Sequence, residues 1–144
     1  TKYNDCTLNA PIAHTTSPTV TGSSVIAVKY SNGIIMAADC LASYGSLARF
    51  RDVQRINELN KHCLLGTSGD IADCQSLLKE LNEYTGEEMN EKLNPRHLFN
   101  YLQQLHYKRR CDMNPLWNSH VIAGVSRNNN HLFLGVVDLK GTSY

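Results

Sequence analysis

The chain has 144 residues, 42% of them apolar and 19% charged, with a formal net charge of +1. That length supports one domain with a real core, and the composition is globular rather than disordered. The near-neutral balance excludes a general nucleic-acid or anionic-membrane partner, since both draw on a clear basic excess.

Residues 1–20 are rich in Thr, Ser, Asn and Pro and show no period, which reads as an extended arm apart from the core. The character changes at Ser23. Residues 23–30 (SSVIAVKY) are β-branched and partly alternating, a strand pattern. Asn32-Gly33 is a hairpin signal, and residues 34–38 (IIMAA) form a short apolar second strand, so the spacing predicts a buried hairpin. Residues 39–54 read as a loop containing Gly45, and residues 55–60 and 62–67 as a second strand pair. Ser68-Gly69-Asp70 reads as a turn in which Asp70 caps the next helix.

Ile71, Cys74, Leu78 and Leu81 then recur at steps of three and four, one face of an amphipathic helix. Asn94-Pro95 is a second helix start, with proline at the first helical position. Leu98, Leu102, Leu105 and Arg109 form the stripe of that helix. Lys108-Arg109-Arg110 falls where the helix should end, where cations meet the negative end of its dipole. Residues 113–117 (MNPLW) are a connector. Residues 120–125 and 132–137 are a third strand pair joined through Asn128-Asn129-Asn130, and a turn begins at Lys140-Gly141. Strands and helices are segregated, so the fold class is α+β, with helices packed on an antiparallel sheet.

Cys6, Cys40, Cys63, Cys74 and Cys111 are odd in number, widely spaced and without a C-x-x-C pair. This argues against a zinc site or disulfide framework and for reduced thiols in a cytosolic or nuclear setting. The six histidines are scattered without ligand spacing, so neither metal nor cofactor is expected. No apolar run approaches the roughly 20 residues of a membrane-spanning helix.

Four segments together resemble the proteasome β subunits. Gly33-Ile34-Ile35-Met36-Ala37-Ala38-Asp39 looks like the family's glycine, four hydrophobics, Ala-Asp signature. Leu64-Leu65-Gly66-Thr67 with Ser68-Gly69-Asp70 and Ala72-Asp73-Cys74 resembles the region opening the family's first long helix. Residues 43–51 (SYGSLARFR) and 113–118 (MNPLWN) look like segments of the subunit type at the beta-7 position, a non-catalytic β subunit of the 20S core particle. The resemblance implies an N-terminal nucleophile hydrolase-type, four-layer αββα sandwich. Residues 1–22 would be pro-segment and N-terminal arm, and 23–144 the N-terminal portion of the β-subunit domain, its C-terminal part absent.

Active family members use a threonine freed by self-cleavage after glycine. Its hydroxyl needs an adjacent base, and the carbonyl oxygen needs fixed donors. Carried over by spacing from Asp39, the resemblance places Ser23 at the nucleophile position after Gly22, and Asp39 at the aspartate. It places Arg55 at the lysine and Gly69 at the oxyanion glycine, followed by Asp70 where active subunits have a second glycine. Arginine stays protonated and is a wide planar ion, so it cannot act as a tuned lysine. The set reads as degenerate, with no catalytic residue: Ser23 opens a strand and Arg55 pairs with Asp39. The resemblance also implies processing between His14 and Thr15, leaving an arm of residues 15–22 ahead of Ser23. The implied partners are other β subunits, the α ring and, for an unprocessed precursor, assembly chaperones, in cytoplasm and nucleus. The apolar Leu47 and Phe50 would pack at a subunit boundary. The rival reading is an active N-terminal nucleophile peptidase using Ser23.

Overall fold

The structure is a computed structural model that describes residues 16–90, 94–127 and 130–144. His14, Thr15 and the Asn128-Asn129 part of the third connection therefore lie outside the described residues. In chain order the elements are β1 (Val20–Gly22), β2 (Val25–Tyr30), β3 (Gly33–Ala38), β4 (Ala42–Tyr44), β5 (Leu47–Phe50), β6 (Ile56–Asn60) and β7 (Cys63–Asp70). Then come α1 (Ile71–Asn90), α2 (Pro95–Cys111), β8 (Asn118–Val125) and β9 (Leu132–Val137). The α+β class holds.

All strand pairs are antiparallel. The large sheet runs β5-β4-β1-β7-β8-β9, with β6 also on β7, while among the described residues β2 and β3 pair only with each other. Alternation along β7 sets the layers. Cys63 and Leu65 point into a core with Leu77 and Leu81 of α1, Leu98 and Leu102 of α2, Ile122 and Val137. Gly66 faces the other way, where an added Cβ would stand 2.7 Å from Met36 Sδ and from Val25 Cγ1. Helices thus cover one face of the large sheet and the β2–β3 hairpin covers the other. Close approach is built in on the helix side too: a Cβ at Gly124 would meet Pro95 Cγ at 2.5 Å, and one at Gly135 would meet Phe99.

The helix starts follow the expected chemistry. Asp70 Oδ1 accepts from the amides of Ala72 (2.8 Å) and Asp73 (3.2 Å). Asn94 Oδ1 accepts from Arg96 N at 3.2 Å. Lys108, Arg109 and Arg110 occupy the last turn of α2.

Four sequence readings are corrected. The hairpin is not buried: Ile26, Val28 and Ile35 are 65%, 58% and 63% exposed, because only the opposite face meets the large sheet. Residues 39–54 are not simply a loop but contain β4 and β5, reversed at Gly45 with φ +58. Ser68-Gly69-Asp70 is not a turn; β7 runs straight through it, paired with Asn118 and Ser119 on one side and β1 on the other. The arm reading of residues 1–20 also misses Val20, which opens β1, a strand between β4 and β7.

Candidate functional site

The ends of β1, β3 and β7 and the start of β6 converge on one cluster. Ser23 lies in the two-residue step from β1 to β2, Asp39 follows β3, and Arg55 precedes β6. The Ser23 hydroxyl is 3.3 Å from both carboxylate oxygens of Asp39. Arg55 Nη2 forms an ion pair with Asp39 Oδ1. The structure thus brings together Ser23, Asp39 and Arg55, residues that are far apart in sequence.

The guanidinium does more than pair with a carboxylate. Nη1 donates to the Ser23 carbonyl (2.6 Å), Nη2 to the Ser24 carbonyl (3.0 Å), and Nε to the Asp39 carbonyl (3.0 Å). The Arg55 side chain is 1% exposed, against 46% for Asp39. A buried guanidinium with this many acceptors is a structural clamp that ties the start of β2 to the end of β3. Gly22 is required by the same clamp, since a Cβ there would stand 2.5 Å from Arg55 Cδ. None of these acceptor contacts is readable from sequence; only the Arg55–Asp39 pairing is.

Gly69 sits across from Gly22 in the β1–β7 register. Its φ is +97, and an added Cβ would fall 2.1 Å from the Trp117 carbonyl, so only glycine fits. The Asp70 carboxylate faces the first turn of α1 with Oδ1 and accepts from Thr19 N with Oδ2 at 3.2 Å. The Asn118 side chain completes the joint by donating to the Asp70 carbonyl at 2.7 Å.

The segment ahead of Ser23 fills a strand position. Val20, Thr21 and Gly22 pair with Tyr44, Ser43 and Ala42 of β4, while Thr21 and Gly22 pair with Asp70 and Gly69 of β7. Beside it opens a cleft of about 540 Å³ lined by Val20, Ala42, Phe50, Arg55, Ile71 and Cys74 among others. Sequence reasoning missed this cleft, which depends on β1 and β4, strands too short to show a period.

Among the described residues no group of three or more His, Cys, Asp or Glu side chains is placed to hold a metal. Cys40, Cys63, Cys74 and Cys111 are free thiols, and burial pushes Cys63 up to about 12. No helix among the described residues is long and apolar enough to cross a membrane.

The site is thus a serine hydroxyl on an arginine-paired carboxylate, at the head of a strand in an α+β sheet-and-helix fold. Residues 19–144 match the family model described as Proteasome subunit. Proteasome subunit beta type-7 of Saccharomyces cerevisiae is 45% identical over 153 residues, covering 99% of this chain and 57% of the relative. Proteasome subunit beta type-4 of Xenopus laevis is 44% identical over 138 residues, covering 93% and 56%. A probable proteasome subunit beta type-7 of Schizosaccharomyces pombe is 41% identical over 140 residues, covering 94% and 53%. The chain belongs to the proteasome subunit family, and these relatives are of β type. It spans about half the length of each of the three.

Proposed function

We propose that this chain is part of a non-catalytic, structural β subunit of the 20S proteasome core particle, in cytoplasm and nucleus. Its contribution to protein degradation is architecture: it joins other β subunits and the α ring. The observation that carries the reading is the state of the Ser23 hydroxyl. Its carboxylate neighbour, Asp39, is ion-paired with Arg55, and a permanently charged guanidinium cannot accept a proton as a lysine amine can. Residues 20–22, which pair as a strand with β4 and β7, stay attached ahead of Ser23 in this reading, leaving it an amide in place of a free amine. In this reading processing falls between His14 and Thr15, and a chain retaining residues 1–14 is a precursor that assembly chaperones engage. The complete subunit is a four-layer sandwich in which further elements cover the outer, apolar face of the β2–β3 hairpin.

N-terminal sequencing and intact mass of the subunit from purified core particles test the reading. A start at Thr15, or retention of residues 1–14, supports it; a start at Ser23 sinks it. In the same particles Ser23→Ala is expected to leave every peptidase activity within about twofold of wild type. Loss of one activity would instead establish a peptidase that uses Ser23.

A further inference from the structure

We infer that the Asp70 carboxylate is a latch that holds the arm ahead of Ser23 in its strand slot, and that this latch governs access to the neighbouring cleft. Asp70 acts as a positioning residue, through β1. Every contact in the latch lies within this chain, so the inference does not depend on the reading of the chain as a ring component.

The need for a latch comes from where the backbone ladder ends. β1 is three residues long, too short to hold a slot between two strands securely by its own pairing. Its pairing with β7 covers only Thr21 with Asp70 and Gly22 with Gly69, because the chain turns into α1 at Ile71. Upstream of Thr21 the arm has no β7 backbone left to pair with. The Asp70 side chain takes over there: Oδ2 accepts from Thr19 N at 3.2 Å, two residues beyond the last ladder position. The other oxygen, Oδ1, accepts from Ala72 N and Asp73 N in the first turn of α1. One carboxylate therefore ties the arm to the helix.

The carboxylate is also fixed in advance. Asp70 is 4% exposed, its amide donates to the Trp117 carbonyl at 2.9 Å, and its carbonyl accepts from Asn118 Nδ2 at 2.7 Å. A preset acceptor loses little freedom on receiving the arm, and a bond to a carboxylate is stronger than one between neutral groups. Val20, next to the latched residue, lines the cleft together with Ala42, Phe50 and Cys74. When Thr19 is released, β1 loses its upstream tie and the Val20 part of the cleft wall leaves with it. The cleft then opens toward the gap between β4 and β7.

The test is Asp70→Asn in the full subunit. Asparagine keeps an oxygen to cap α1 but turns an amide NH2 toward the Thr19 N–H, donor against donor. Two readouts are taken: amide hydrogen exchange, and labelling of Cys74 by a small maleimide. Exchange over residues 19–22 is expected to quicken about tenfold or more, and Cys74 labelling to rise with it. Exchange in the first turn of α1 and labelling of Cys63, which is 1% exposed in the core, are expected to stay at wild-type rates. Unchanged exchange over residues 19–22, or unchanged Cys74 labelling, overturns the proposal. Should Asp70→Asn misfold or expose Cys63, Thr19→Pro decides instead. It lies in the exposed arm, removes the donor and leaves Asp70 and the α1 cap in place. Residues 20–22 as protected in Thr19→Pro as in wild type overturn the proposal.

Discussion

At the scale of single residues, Arg55 decides what the cluster is. Its side chain serves three carbonyls and one carboxylate at once, a task suited to a planar fork with five donors and not to an ammonium ion. Arg55→Lys should therefore lower stability by about 1–3 kcal/mol, because carbonyls that accept from the buried guanidinium lose their donors. Urea unfolding checks this, and no peptidase activity should appear. His106 of α2 and His120 of β8 form the second decisive pair, with both residues fully buried and ring centroids 5.0 Å apart. Thr67 Oγ1 lies 3.1 Å from His120 Nδ1. Burial, then the neighbouring His106, holds His120 down to about 3. Burial also lowers His106, with Arg109 acting in the same direction. The Leu139 carbonyl and Asp138 oppose it in part, although the carbonyl does not reach hydrogen-bond geometry. The unfolded chain thus binds protons that the folded chain refuses. This stability is full above about pH 6.5 and is lost as pH falls from there toward about 3. Urea midpoints taken from pH 7.5 downward should drop, and His120→Asn should flatten that drop.

At the scale of elements, helices were legible and short strands were not. Asn94-Pro95 is a cap and first-turn signal that needs no tertiary context, and the structure shows its side-chain bond to Arg96 N. Asn94→Ala should cost about 1 kcal/mol by thermal or urea unfolding, with Asn94→Asp close to neutral. The stripes predicted Cys74, Leu81, Leu98 and Leu102 as buried but omitted Leu77 and His106, which are buried as well. A histidine carries no apolar signal, and only the packing of α2 over β8 shows it as core. β1, β4 and β5 are 3, 3 and 4 residues long, too short to display alternation. Ser68-Gly69-Asp70 carries turn composition, yet it lies in a strand because β8 and β1 pair with it, Gly69 allowing φ +97 where the Trp117 carbonyl comes close.

At the scale of the whole molecule, the β2–β3 layer has an uncovered outer face among the described residues. Ile26, Val28, Tyr30 and Ile35 share the outer face of the β2–β3 hairpin, and each is about half exposed or more. A two-stranded sheet with one bare apolar face is marginal alone. Val28→Lys combined with Ile35→Glu, direct cross-strand neighbours, should roughly halve binding of a hydrophobic dye by this chain. The same pair should block assembly of the full subunit. Undiminished dye binding would show that the apolar surface lies elsewhere.

The sequence by itself determined the class of fold, both helix starts, the β8–β9 pairing and the family, because caps, periodicity and motif spacing are local properties of the chain. It also marked Ser23, Asp39, Arg55 and Gly69 as positions worth comparing. Only the tertiary structure decided that Arg55 clamps three backbone carbonyls, that Val20–Gly22 is a strand lying between β4 and β7, and that the hairpin's outer face is bare. Each of these depends on which segments meet across tens of residues, and no local pattern encodes a meeting between surfaces that are distant along the chain.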